Sequence, residues 1–189
     1  MRLSRAEFHA LYEAHPEVRK AELVDGVVFM PSPASRFHAP QQMAIVGWAW
    51  AYLERYPDVL GADNITTILP GENEVQPDCA LWLQDGNASF GGDNYLHGAP
   101  EFVAEVTATS RNYDLGVKKE LYRRAGVLEY LVWQTFDATV EWWALEAGEY
   151  VALVPGSDGV TDSSVFRGLR LNTGRLAAGD PSSIAADLR

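Results

Sequence analysis

Apolar positions recur along this chain with two different periods, and the switches between them outline its elements. Behind Ser4-Arg-Ala-Glu7, which has capping-box spacing, Phe8, Leu11 and Tyr12 follow at helical intervals, so a short first helix is expected. Residues 21–24 and 27–30 flank Asp25-Gly26, the signature of a β-hairpin, and Pro31 and Pro33 end its second strand. From about residue 36 to 56 the helical period returns. Met43, Val46, Trp50 and Leu53 mark one face and Ile45, Ala49 and Tyr52 another, which predicts a helix buried on most sides. Strands are expected over residues 65–69, ending at Pro70-Gly71, and over 75–83; a Gly-rich surface excursion covers 84–100. Residues 101–106 form a short predicted strand, and 114–125 a helix closed by Gly126. An apolar central strand is predicted at 128–133 and a hairpin from 139–145 and 150–154, with short strands at 165–166 and 169–171. From Ala177 the residues are small and polar, a loosely held tail.

That order predicts an α/β fold with a mixed sheet flanked by helices and hairpins added at both ends. A length of 189 residues fits a single domain over 1–176 with a tail at 177–189. At 47% hydrophobic and 22% charged residues, general disorder is excluded. The single cysteine, Cys79, excludes an intrachain disulfide framework and a multi-cysteine zinc site. Arg2 and Arg5 are followed by Glu7 and His9 rather than an apolar stretch, and the longest apolar run, residues 43–53, is too short to span a bilayer. A cytoplasmic protein without membrane contact is therefore expected.

The net charge of −11 argues against avid, non-specific binding to nucleic acid. Its distribution is uneven. Between Arg55 and Arg111 there is no Lys or Arg, while Asp63, Glu72, Glu74, Asp78, Asp85 and Asp93 fall in that gap; Arg111, Lys118, Lys119, Arg123 and Arg124 follow. Two readings stay open: solvated loops beside a solvated helix face, or a cation site beside an anion site.

Several chemistries lack their residues. The chain has no P-loop, no GxGxxG after a strand and no GxSxG elbow, and its histidines (9, 15, 38 and 97) lack zinc-helix spacing. A carboxylate pair remains: Asp78 after Pro77 and Glu105 in the next strand, each in an otherwise apolar run. A carboxylate in such a run needs a partner, a metal or the sheet end. Spacing alone leaves open whether each caps a strand at the surface or the two converge as hard oxygen ligands for Mg²⁺ or Mn²⁺.

The pieces Glu22-Leu-Val-Asp-Gly26, Met30-Pro-Ser-Pro33, His38, Val75-Gln-Pro-Asp78, Gly98-Ala-Pro-Glu-Phe-Val-Ala-Glu105-Val, Ser110 and Asp114-Leu-Gly-Val-Lys118 to Val127, in this order, cover most of the chain. Together they resemble the PD-(D/E)XK nuclease superfamily and, more closely, the putative restriction endonuclease family abundant in cyanobacteria. The resemblance implies a restriction-endonuclease-like core in which Asp78 and Glu105 hold Mg²⁺ or Mn²⁺, and Glu22 adds a carboxylate through the metal or a bound water. It implies DNA as substrate. The superfamily lysine belongs two residues after Glu105, where this chain has Thr107. The close family takes its lysine from the following helix, and Lys118 fits, on a stripe with Asp114 and Tyr122; the alternative is a surface Asp114–Lys118 pair with Lys119 as its solvent neighbour. His38 is either a donor or proton shuttle behind the site or a helix-terminal histidine satisfied by backbone. Tyr122, Tyr130 and Trp133 read as core. Of the adjacent Trp142 and Trp143, one faces outward if both lie in a strand, a candidate homodimer contact.

Three functions follow: a metal-dependent nuclease acting on DNA, with a local basic strip over 111–124 offsetting the net charge; a catalytically inactive relative that uses the fold for binding or assembly; or a metal-dependent hydrolase of a small phosphoester, which differs from the first in pocket size.

Overall fold

The first helix forms where its capping box predicts. In a computed structural model that describes residues 2–31, 36–108 and 110–180, α1 (Arg5–Ala14) starts from Ser4. The Glu7 amide donates to the Ser4 hydroxyl at 3.3 Å, and the Ser4 amide donates to the Glu7 carboxylate at 2.8 Å. Phe8 packs beneath it with Ala21 and Leu23. Asp25 and Gly26, both at positive φ, turn β1 (Glu22–Val24) into β2 (Val27–Phe29).

α2 (Ala39–Leu53) is shorter than the expected 36–56 and is buried on one side only. Ile45, Trp48, Ala49 and Tyr52 face the core, while Met43 and Trp50 are 76% and 63% exposed. β3 (Val59–Ala62) carries no period-two signal in its four residues and was not expected. Its Gly61 permits close approach: a Cβ there would stand 2.7 Å from Leu81 Cδ2.

The expected strand over 75–83 is instead two strands in different sheets. β4 (Thr67–Leu69) pairs with β5 (Asn73–Val75), and the chain then crosses through Gln76, Pro77 and Asp78 into β6 (Cys79–Leu83). Pro77 has no amide to give a ladder, which suits it to the crossing. The expected excursion over 84–100 contains its own hairpin, β7 (Ser89–Phe90) and β8 (Leu96–His97), and β8 runs parallel to β4.

β9 (Phe102–Thr107) is followed by a π-helical segment (Tyr113–Lys118) and α3 (Lys119–Ala125), which Gly126 closes at φ 88°. β10 (Glu129–Gln134) then returns parallel to β9, and β11 (Thr139–Glu146) and β12 (Glu149–Ala152) form the expected hairpin. Strand order is β2-β1-β5-β4-β8-β7 in one sheet and β12-β11-β10-β9-β6-β3 in the other. The strand expected at 169–171 forms as β14 (Arg170–Leu171), but the one expected at 165–166 does not: those residues lie in a bend, and β14 pairs instead with β13 (Thr161–Asp162); α4 (Thr173–Ala177) follows. The expected loose tail begins inside α4, and its residues 181–189 lie outside the described residues. No described helix is long and apolar enough to cross a membrane.

Both faces of the second sheet are covered. Phe102, Ala104, Val106, Leu131 and Trp142 pack against α2 and the segment carrying Phe166, Leu169 and Leu176. Val103, Tyr130, Val132 and Trp143 pack against α3 and the first sheet. Trp142 and Trp143 are therefore both buried, at 2% and 7% exposure, because a strand buried on two sides has no outward face. The expected exposed ring is absent at this pair, so it offers no ring for a dimer contact.

Candidate functional site

The ladder between β6 and β9 pairs Cys79 with Ala104 and Ala80 with Val103. One step further in the same register sets Asp78 across from Glu105, and the Val106 amide donates to Asp78 Oδ2 at 2.9 Å. Strand alternation turns Phe102, Ala104 and Val106 toward α2, so Glu105 faces the helical crossover and the first sheet. A buried carboxylate there needs donors. Lys118 Nζ lies 2.5 Å from Glu105 Oε1, and the Tyr122 hydroxyl donates to the same oxygen at 2.9 Å. Lys118 also donates to Glu22 Oε1 at 3.0 Å; that oxygen accepts from the Gln76 amide at 2.8 Å, and Tyr113 Oη donates to Oε2 at 3.2 Å. Lys118 thus points at the carboxylates and is not the surface partner of Asp114. Asp114 is buried and accepts from Ser110 Oγ at 2.5 Å, and Ser110 meets Thr107 Oγ1 at 3.0 Å. This hydroxyl chain occupies the strand position where the superfamily lysine would stand.

Asp78 has a second set of partners. Lys20 Nζ donates to Oδ1 at 3.1 Å, and His38 Nε2 lies 3.1 Å from Oδ2. His38 is at the N-terminal end of α2 and makes no side-chain cap; its Nδ1 is buried without a partner among the described residues. The structure thus brings together Asp78, Glu105, Lys118, Glu22 and His38. It adds Lys20, Tyr113 and Tyr122. Lys20 had a legible signal, since it stands two residues before Glu22 at the start of β1 and so projects to the same side. Tyr122 is core, as its apolar setting suggests, but its hydroxyl is also a ligand to Glu105.

Electrostatics divide the two acids. Burial alone would raise the Asp78 carboxyl, but the His38 hydrogen bond, the Lys20 charge and the Val106 amide together hold it well below the usual range. Burial pushes Glu105 up to about 8, with the Asp78 charge adding to the rise and Lys118 opposing it. Burial disfavours the charged Lys118 amine, yet Glu105, Glu22 and Asp114 around it raise it well above its ordinary value, so it stays cationic.

The basic strip expected over 111–124 does not exist as a free surface charge. Lys118 is buried, and Lys119 lies 3.4 Å over the Trp143 ring with its amine lowered by burial. Arg111 pairs with Asp137, Arg123 with Glu120 and Glu149, and Arg124 with Asp25 and Glu120. The acidic stretch is likewise dispersed: Glu74 pairs with His9 and Asp93 with His97, while Asp78 and Glu105 are at the site.

Among the described residues, no three His, Cys, Asp or Glu side chains converge as a preformed metal cage. The donor chemistry still fits a hard cation. Two carboxylates face each other across a ladder, and burial together with the Asp78 charge raises the Glu105 carboxyl despite Lys118, a strain that a hard cation between them would relieve. Asp78 and Glu105 are the residues that would hold such an ion, with water or phosphate oxygens completing its shell, the habit of Mg²⁺.

Comparison with known proteins agrees with this architecture. The profile of the Uma2 family, described as putative restriction endonucleases, matches residues 5–174. A crystal structure described as a putative nuclease belonging to DUF820, from Anabaena variabilis, superposes with a TM-score of 0.70 at 12% identity, covering 99% of each chain. At that identity the likeness shows a shared fold. No curated protein matches the sequence.

Proposed function

The chain belongs to the Uma2 family of putative restriction endonucleases, and from that premise we propose that it is a divalent-metal-dependent nuclease hydrolysing DNA phosphodiester bonds, with residues 1–176 acting as one domain. The observation that carries this reading is the placement of Asp78 across from Glu105 with an amine on each: Lys20 on the first and Lys118 on the second.

Asp78 and Glu105 hold Mg²⁺ or Mn²⁺ in this proposal, and the bound ion supplies a water of lowered pKa and polarises the scissile phosphate. The protein's own groups prepare that place. Lys118 ties Glu105 to Glu22, so two carboxylates from different sheets keep fixed orientations. Tyr122 and Tyr113 lock the rotamers of the same two acids by donating from opposite ends of the crossover. His38 Nε2 donates to Asp78 and fixes which oxygen remains toward Lys20. A positioned ammonium group then stabilises charge that develops on phosphoryl oxygens.

Because the surface cations over 111–124 are already paired, few phosphate contacts are available, so affinity for DNA is expected to be modest and its dependence on salt shallow. The test is nicking of supercoiled plasmid at low salt with Mn²⁺ or Mg²⁺. Wild type converts the plasmid and Asp78→Ala does not; intact plasmid with both metals sinks the proposal. The paired surface charges and Thr107 favour a second reading, a non-catalytic binding module. Titration calorimetry separates the two, since a module without metal gives no divalent heat that Glu105→Ala removes.

A further inference from the structure

The two amines of the site differ in what they can reach. Lys118, the lysine that the family pattern points to, is 2% exposed along its side chain and is shared between two carboxylates, Glu105 at 2.5 Å and Glu22 at 3.0 Å. The rings of Tyr113 and Tyr122 stand 5.7 and 5.8 Å from its ammonium. Bringing a phosphate against it would require opening that buried cluster. Lys20 has a different setting. Its side chain is 23% exposed, and among the described residues its one ion pair is with Asp78 Oδ1 at 3.1 Å and its other polar contact is a long one, 3.5 Å to Asn64 Oδ1. His38, 22% exposed, donates to the other Asp78 oxygen, so the solvent-reachable donors of the site both gather on this carboxylate.

From this contrast we propose that Lys20 is the residue that contacts the substrate, seating an anionic oxygen of a DNA phosphodiester beside Asp78, and that Lys118 is a positioning residue for Glu22 and Glu105. The proposal rests on the nuclease reading of the same site and names the amine that reading needs. Two further observations support it. Thr107, two residues beyond Glu105, belongs to a hydroxyl chain with Ser110 and Asp114 and supplies no cation there. The arginines over 111–124 are held by Asp25, Glu120, Asp137 and Glu149, so they do not compete with Lys20 for a phosphate at the site. Exposure and proximity to Asp78 coincide in Lys20 and not in Lys118.

The experiment is binding of a short fluorescent DNA duplex, followed by anisotropy from low to moderate salt with Ca²⁺ present, for wild type, Lys20→Gln and Lys20→Arg. Plasmid nicking with Mn²⁺ and thermal melting are measured on the same preparations. A lost phosphate contact makes the slope of log affinity against log salt shallower by about 0.9, a change that a loss of structure alone does not produce selectively. The expected result is that shallower slope for Lys20→Gln, with reduced nicking and a cooperative melt that still lies well above the assay temperature, and the wild-type slope restored in Lys20→Arg. A wild-type slope and wild-type nicking in Lys20→Gln overturn the inference and leave the nuclease reading standing. A shallower slope in a protein that nicks nothing supports the phosphate contact and sinks hydrolysis. Wild type that binds no DNA overturns both.

Discussion

Tyr113 and Lys118 stand five residues apart and reach the same carboxylate: Tyr113 Oη donates to Glu22 Oε2 at 3.2 Å and Lys118 Nζ to Oε1 at 3.0 Å. In a regular α-helix, residues five apart are turned about 140° from each other and cannot share a target. The π-helical segment over Tyr113–Lys118 brings i and i+5 onto one side. Beyond it α-helical spacing resumes, and Lys118 and Tyr122, four apart, meet on Glu105. One change of helical pitch thus lets a single crossover serve two acids from two sheets.

This arrangement predicts an asymmetric response to mutation. Lys118→Met leaves Glu22 and Glu105 buried without their cation, which costs about 3–5 kcal/mol. Pairing it with Glu22→Gln recovers most of that loss, because Glu105 takes up a proton below about pH 8 and Glu22 is then the stranded charge. Urea unfolding of the single and double variants checks this, and equal loss in both would contradict the shared-cation arrangement.

Glu105 predicts a stability that declines toward alkaline pH. Its carboxyl holds a proton in the folded protein up to about pH 8, against an ordinary value of 4.5 when unfolded. The folded state therefore binds the extra proton across that window, and stability without metal falls as pH rises from about 4.5 to about 8, by up to about 1.4 kcal/mol per pH unit. Asp78 has the opposite sign: its depressed carboxyl contributes stability that is full above the ordinary carboxylate range and is lost in acid as pH falls through its folded value. Glu105→Gln flattens the neutral-to-alkaline limb of a melting series and leaves the acid limb. Divalent ions that displace the Glu105 proton bind more tightly as pH approaches 8. Calorimetry of Mn²⁺ binding at pH 7, in two buffers with different ionisation heats, reads the released proton.

Two glycines predict opposite outcomes for the same substitution. Gly98, before β9, sits at φ 93°, and a Cβ there would lie 2.1 Å from the Asn87 carbonyl oxygen, a backbone atom that cannot step aside. Gly98→Ala is expected to cost more than about 3 kcal/mol and to lower soluble yield. Gly116, in the π-helical segment, has no atom within 4 Å of an added Cβ and no positive φ. Gly116→Ala is expected to stabilise by about 0.5–1 kcal/mol, the usual helical gain. Thermal melts of the two variants provide the check.

Elements with a strong local signal were legible. The Ser4–Glu7 box, the Asp25-Gly26 turn and the Gly126 stop all act through residues a few positions apart, and each forms where its pattern places it. β3 was not, because a four-residue strand containing Gly61 shows no period; nor was the 84–100 hairpin, whose strands are two residues each. At the site, apolar runs interrupted by one carboxylate marked Asp78 and Glu105, since burying such a group demands an explanation from the sequence alone. Lys20 carried the weaker signal of strand parity with Glu22. Tyr113 carried none, because an α-helical pitch sends its hydroxyl elsewhere.

By itself the sequence determined the local conformations, the α/β order and the acids that must find partners, because propensity, capping and burial cost depend on near neighbours and on residue chemistry. Only the tertiary structure decided that the chain changes sheets at Pro77, that Trp142 and Trp143 are both covered, that the 111–124 cations are paired away, and that Lys20 is the open amine while Lys118 is the enclosed one. Those outcomes depend on registers and covering layers set by segments tens of residues apart, and no local pattern carries that information.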